Sequence, residues 1–114
     1  MLAFEDTYAI DDALASAGVT SIKEFKQQWR SDDAVRIIAE FAPDVLLLDH
    51  YMPPHTGLEV LKMLNDAVRE GTCARPKHVI AMSSETRCNR EMVREGADAG
   101  VVKFDLAQWS GWRT

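Results

Sequence analysis

The residues of this 114-residue chain that could do chemistry together stand just after short apolar runs. Glu5 and Asp6 follow "MLAF", Asp49 follows "VLLL", Ser83 and Ser84 follow "VIAM", and Lys103 follows "GVV". Three carboxylates brought together repel one another unless a cation sits among them. Mg2+ is the hard ion that takes oxygen ligands while keeping some of its waters. A carboxylate held there can act as a nucleophile toward phosphorus and form an aspartyl phosphate. The cation and a lysine would neutralise phosphoryl oxygens, and a hydroxyl could bond one of them.

That chemistry needs elements that bring the run ends to one edge. The runs 1–4, 45–48, 79–82 and 100–102 are short and apolar on both faces, as buried parallel strands are. Between them lie helical stripes. "DDAVRIIAEF" sets Ala34, Ile37, Ile38 and Phe41 on one face, and "GLEVLKMLNDAV" sets Leu58, Leu61, Leu64 and Val68 on another. "ETRCNREMVREGADAG" puts Cys88, Met92 and Val93 on one side and reaches a stop signal at Gly96. Ser31 with Asp32 and Asp33 reads as a helix start. Residues 19–29, "VTSIKEFKQQW", occupy the place of a second strand and are read as one, although Ile22, Phe25 and Trp29 are also spaced as on a helix. Strand–helix alternation predicts an α/β fold: one doubly wound, five-stranded parallel sheet, flavodoxin-like in order 2-1-3-4-5, with helices on both faces. In such sheets, sites form at the carboxyl ends of the strands.

Bulk properties narrow the function. The length suits one domain, and 46% hydrophobic with 27% charged residues is ordinary for a globular protein. A formal charge of -5 argues against nucleic-acid binding. No apolar run approaches the roughly 20 residues of a membrane helix, and the start has no signal-peptide pattern. Cys73 and Cys88 lack metal or redox spacing, so free thiols and a cytoplasmic location are expected. Cys73, in the polar "REGTCARPK", is expected to be exposed.

In "FED" at 4–6, "LLLDHYMPPHTGLEVL" at 46–61, "VIAMSS" at 79–84 and "GADAGVVK" at 96–103, the chain resembles a response-regulator receiver domain. The resemblance covers nearly the whole length, so residues 1–114 are read as one stand-alone receiver domain. It implies a two-component signalling switch rather than a metabolic enzyme, one that assists its own phosphorylation and dephosphorylation. Asp49 would accept a phosphoryl group from a histidine kinase or histidine phosphotransfer protein. Glu5, Asp6, Asp49 and the backbone carbonyl of Tyr51 would hold Mg2+. Ser83, favoured over Ser84 by its place after the apolar run, would supply the hydroxyl, and Lys103 the invariant lysine. Pro53 and Gly57 match the turn after the phosphorylated aspartate. The side chain of Tyr51 could cover the acyl phosphate or point outward. His50 and His55 lack Cys or His partners and read as loop histidines.

The chain also departs from the family. Phe104 follows Lys103 where the family has proline, and Gly100 stands at the position of the switch aromatic, so a ring turning inward cannot couple phosphate to output. The stretch from Ser83 to Lys103 is slightly short. The last segment leaves barely two turns for a final helix and carries Trp109 and Trp112, read as a core cap ahead of a partner patch. These departures keep two rivals open: a phosphorylation-independent interaction module, and a phosphate relay or sink without conformational output. An aspartyl-phosphate hydrolase is more distant, because Tyr51 stands where its acid would be.

Overall fold

The computed structural model describes residues 1–5, 10, 26–28, 30–50 and 53–102. Its five strands are β1 (Leu2–Phe4), β2 (Lys26–Gln28), β3 (Val45–Leu48), β4 (His78–Ala81) and β5 (Ala99–Gly100). Three helices are described: α1 (Ala34–Phe41), α2 (Gly57–Glu70) and α3 (Thr86–Arg94). All neighbouring strands pair in parallel, in the order β2-β1-β3-β4-β5, as the alternation predicts.

The pleat divides the apolar strand residues between two faces. Leu2, Phe4, Leu46, Leu48, Val79 and Ala81 pack with Ala34, Ile38, Val60, Leu61, Leu64 and Met92 of the three helices. Ala3, Leu47 and Ile80 form a second cluster on the opposite face with Ile10 and Met82. Burial on both faces is why these strands are apolar throughout rather than alternating. The predicted second strand is present only as β2, within the last residues of the 19–29 reading; residues 19–25 and Trp29 lie outside the described residues.

Both ends of α2 follow local rules. At the start of α2, the Thr56 hydroxyl accepts the Glu59 N–H and the Glu59 carboxylate accepts the Thr56 N–H, at 3.1 and 3.0 Å. This reciprocal capping box satisfies two otherwise orphaned donors. Gly71, at φ 78, closes the other end with its N–H on Ala67 and Val68. The starts of α1 and α3 lack a side-chain cap. The predicted start of α1 at Ser31 is displaced: the helix begins at Ala34, Asp33 takes a left-handed φ of 55 and its side chain makes no cap bond. The Ser31 hydroxyl is instead committed to the loop beyond β3, described below.

Two more expectations are corrected. Val93 does not share the buried face of α3; it is 41% exposed, and Asn89 is buried beside Cys88 and Met92 instead. Cys73 is buried, 7% exposed, within the main core cluster. Burial pushes its thiol pKa up, because the low-dielectric surroundings disfavour the thiolate. Both cysteines are free thiols. Among the described residues, no helix is long and apolar enough to cross a membrane.

Candidate functional site at the carboxyl edge of the sheet

Strand register assembles the edge. Phe4 pairs with Leu48, Leu48 with Ala81, and Ala81 with Gly100, so one row of partners crosses four strands. The ladder then runs one residue further. Glu5 donates its N–H to Gln28 (3.0 Å), Asp49 to Phe4 (3.0 Å), Met82 to Leu48 (2.9 Å) and Val101 to Ala81 (2.8 Å). Glu5 and Asp49 therefore end adjacent strands at the same level and on the same side of the pleat, with backbones pinned. Neighbouring strands stand about 4.8 Å apart.

Both carboxylate residues are buried, Glu5 at 0% and Asp49 at 4% exposure. One Asp49 oxygen accepts the N–H of His50 at 2.9 Å. Burying two carboxylates side by side is costly unless positive charge or protons compensate. Hard oxygen donors in this arrangement suit a small divalent cation such as Mg2+. Among the described residues no third His, Cys, Asp or Glu completes a ligand cluster. Asp6, Tyr51 and Lys103 lie outside the described residues.

Ser83 ends the stretch after β4. It is fully buried, whereas Ser84 is exposed. The Ser83 hydroxyl accepts the N–H of Glu85 at 3.1 Å. Its backbone is gripped by one side chain: Asn89 Oδ1 accepts the Ser83 N–H at 2.8 Å and Asn89 Nδ2 donates to the Ser83 carbonyl at 2.9 Å. The same Nδ2 reaches the carbonyl of Val101 at 3.2 Å.

The loop after Asp49 is fastened at several points. Gly57 donates its N–H to the His50 carbonyl at 2.7 Å. Ser31, buried at the exit of β2, donates its N–H to Pro53 (2.9 Å), and its hydroxyl donates to the His55 carbonyl (2.9 Å) while accepting the His55 N–H (2.8 Å). On the far side of the edge, the Gln27 amide donates to the Glu5 carbonyl (3.0 Å) and accepts the Ile10 N–H (2.9 Å). Gln27 thus bridges the two ends of the segment that contains Asp6.

Of the residues singled out from the sequence, Glu5, Asp49 and Ser83 come together on this edge. His50 and His55 lie in the loop beside it, and His55 approaches Glu59 at 4.0 Å. Asn89, Ser31 and Gln27 were missed as site residues. A signal existed for Asn89: it is a polar residue on the same helical face as Cys88 and Met92. Ser31 and Gln27 carry no local signal, since their partners lie 24 and 17–22 residues away.

No family model matches the chain. A curated relative is the protein-glutamate methylesterase/protein-glutamine glutaminase of Haloarcula marismortui, 26% identical over 95 residues, covering 83% of this chain. The chain spans only 23% of that relative's length. The response regulator domain of Thermotoga maritima CheB superposes with a TM-score of 0.65 at 24% identity, over 98% of this chain and 83% of that one. The receiver domain of a histidine kinase from Arabidopsis thaliana, complexed with Mg2+ and BeF3−, gives 0.68 at 22% identity, over 94% and 83%. The fold is that of the response-regulator receiver domains that the sequence resembles.

Proposed function

We propose that this chain is a receiver domain of two-component signalling, with Asp49 as its phosphoryl acceptor. The observation that supports the reading is the register that ends β1 and β3 with buried Glu5 and Asp49 at the same level, with buried Ser83 beyond β4. The similar fold crystallised with Mg2+ and BeF3− supports it.

In this reading an Asp49 carboxylate oxygen attacks phosphorus on the phosphohistidine of a histidine kinase or phosphotransfer protein. The phosphorus–nitrogen bond breaks, and the imidazole leaves with its electron pair. The product is an acyl phosphate, which water hydrolyses to inorganic phosphate and the free carboxylate. Glu5, Asp6, Asp49 and the Tyr51 carbonyl would hold Mg2+, which supplies positive charge against the phosphoryl oxygens. Ser83 donates its hydroxyl proton to one phosphoryl oxygen, and Lys103 pairs with another. The added charge shifts a surface that a downstream protein reads. Residues 1–114 act as one such domain in the cytoplasm. Gly100, which carries no ring, favours a second reading as a relay or sink that passes phosphate on without a strong conformational output.

The test is intact mass after incubation with Mg2+ and acetyl phosphate, with Asp49→Asn as control. The expected result is a gain of one phosphoryl group that requires Mg2+ and is lost in the variant. A gain that persists in Asp49→Asn moves the acceptor elsewhere. No gain from acetyl phosphate or from a panel of histidine kinases, together with no Mg2+ binding, leaves a phosphorylation-independent interaction module.

A further inference from the structure

Two places at the edge must keep a fixed relation if Ser83 and the end of β5 are to act on the same group. They are the loop after β4 and the exit of β5, which leads toward Lys103. One side chain joins them. The Asn89 amide, 4% exposed, has its oxygen on the Ser83 N–H and its nitrogen on the carbonyls of both Ser83 and Val101. This uses its two N–H donors and one of its acceptor sites, and the pattern of partners fixes which atom is oxygen and which nitrogen. The chain position opposite makes the reach possible. A β-carbon on Gly100 would stand 3.0 Å from Asn89 Cβ and 3.4 Å from both the Asn89 carbonyl oxygen and Val93 Cγ2. A side chain at 100 would therefore require Asn89, and α3 with it, to give by a few tenths of an ångström.

We propose that Asn89 is a positioning residue that locks the Ser83 loop and the β5 exit into one geometry, in the place where a glycine at 100 has removed any ring that could couple them. The proposal rests on the reading of Asp49 as phosphoryl acceptor. Asn89 touches neither the phosphoryl group nor the carboxylates. It acts through Ser83, whose hydroxyl is held by the Glu85 N–H, and through Val101. A displacement of Ser83 toward Asp49 draws Asn89 with it, and hence α3.

The test compares wild type with Asn89→Asp, nearly isosteric but setting a carboxylate oxygen against two carbonyls, and with Asn89→Ala, which removes all three bonds. Asn65→Ala is the structural control: Asn65 donates to the Glu95 carbonyl at 2.7 Å, tying α2 to the end of α3 without touching Ser83. Three quantities are read: the first-order rate of Asp49 labelling at saturating Mg2+ and acetyl phosphate, the Mg2+ Kd by calorimetry, and amide hydrogen exchange at Glu85 and Val101. Neither of those amides bonds Asn89 directly, so they report the position of the Ser83 hydroxyl and of the β5 exit. In whichever Asn89 variant folds, labelling is expected to slow about tenfold or more while the Mg2+ Kd stays within about twofold. Exchange at Glu85 and Val101 should speed up in that variant and not in Asn65→Ala. Labelling at the wild-type rate overturns the proposal, as does a loss of Mg2+ affinity parallel to the loss of labelling. A wild type that takes no phosphoryl group sinks the functional reading instead. Exchange then decides the lock alone: unchanged protection at Glu85 and Val101 in the Asn89 variants overturns it, and selective loss supports it.

Discussion

Gly57 packs directly against the backbone carbonyl of Asp49. A β-carbon at 57 would overlap the Asp49 carbonyl oxygen, lie 3.0 Å from its carbonyl carbon and meet Met92 Cε at 3.1 Å. The first two neighbours are backbone atoms at the end of a buried strand, where nothing can turn aside. The first residue of α2 therefore reports directly on the position of the Asp49 main chain.

Gly57→Ala is accordingly expected to displace either Asp49 or the start of α2. The overlap should cost about 1–3 kcal/mol in urea unfolding, the usual range for overpacking a filled site. Phosphoryl labelling should fall further than that stability loss explains, because the displaced group is the proposed nucleophile. A variant with wild-type stability and labelling would show that the helix start accommodates a methyl group, and would remove the constraint.

Ser31→Ala removes one hydroxyl that satisfies both the N–H and the carbonyl of His55. Leaving a donor and an acceptor unpaired should cost about 1–3 kcal/mol. The comparison is Thr56→Ala, which removes a helix cap worth about 1 kcal/mol. Ser31→Ala should be at least as destabilising and should loosen residues 53–55, read as faster proteolysis in that loop. Equal protease resistance in the two variants would assign Ser31 no part in holding the loop after Asp49.

Glu59 supplies a pH dependence of known sign. Its carboxylate accepts the Thr56 N–H and is drawn below the ordinary carboxylate range by that backbone bond first and by the Thr56 hydroxyl second. A carboxyl group with a depressed pKa contributes stability that is complete above its unfolded pKa and lost as pH falls through the folded one. The contribution should therefore fade from about pH 4 downward. Glu59→Gln keeps an acceptor for the capping box but cannot titrate. Thermal midpoints of wild type and variant should diverge least at acid pH and most near neutrality. A constant difference between pH 3 and 7, roughly the span over which carboxylates titrate, would contradict this.

Much of the architecture was legible because its signals are local. "VLLL", "VIAM" and "MLAF" are apolar without alternation because each strand is buried on both faces, and runs of that kind between helical stripes leave a parallel sheet as the natural arrangement. The placement of Glu5, Asp49 and Ser83 at the sheet edge was legible for the same reason: they are the first polar residues after segments that must be strands. The second strand was harder. Lys26–Gln28 is short, polar and at the edge of the sheet, so it carries little apolar pattern of its own.

What the sequence by itself determined is thus the set of elements, their order and the residue types at their carboxyl ends, because periodicity and burial act over neighbouring residues. Tertiary structure alone decided what holds those ends in place. Ser31 looked like a cap for the helix beside it, yet its hydroxyl serves His55, 24 residues on. Asn89, unremarked in the sequence, is buried where α3 comes close to Gly100, while Val93, expected on the buried face, is exposed. Cys73 sits among polar neighbours in sequence and among core side chains in space. A side-chain hydrogen bond or a single close backbone approach leaves no periodic trace in the chain, so it appears only when distant segments are brought together.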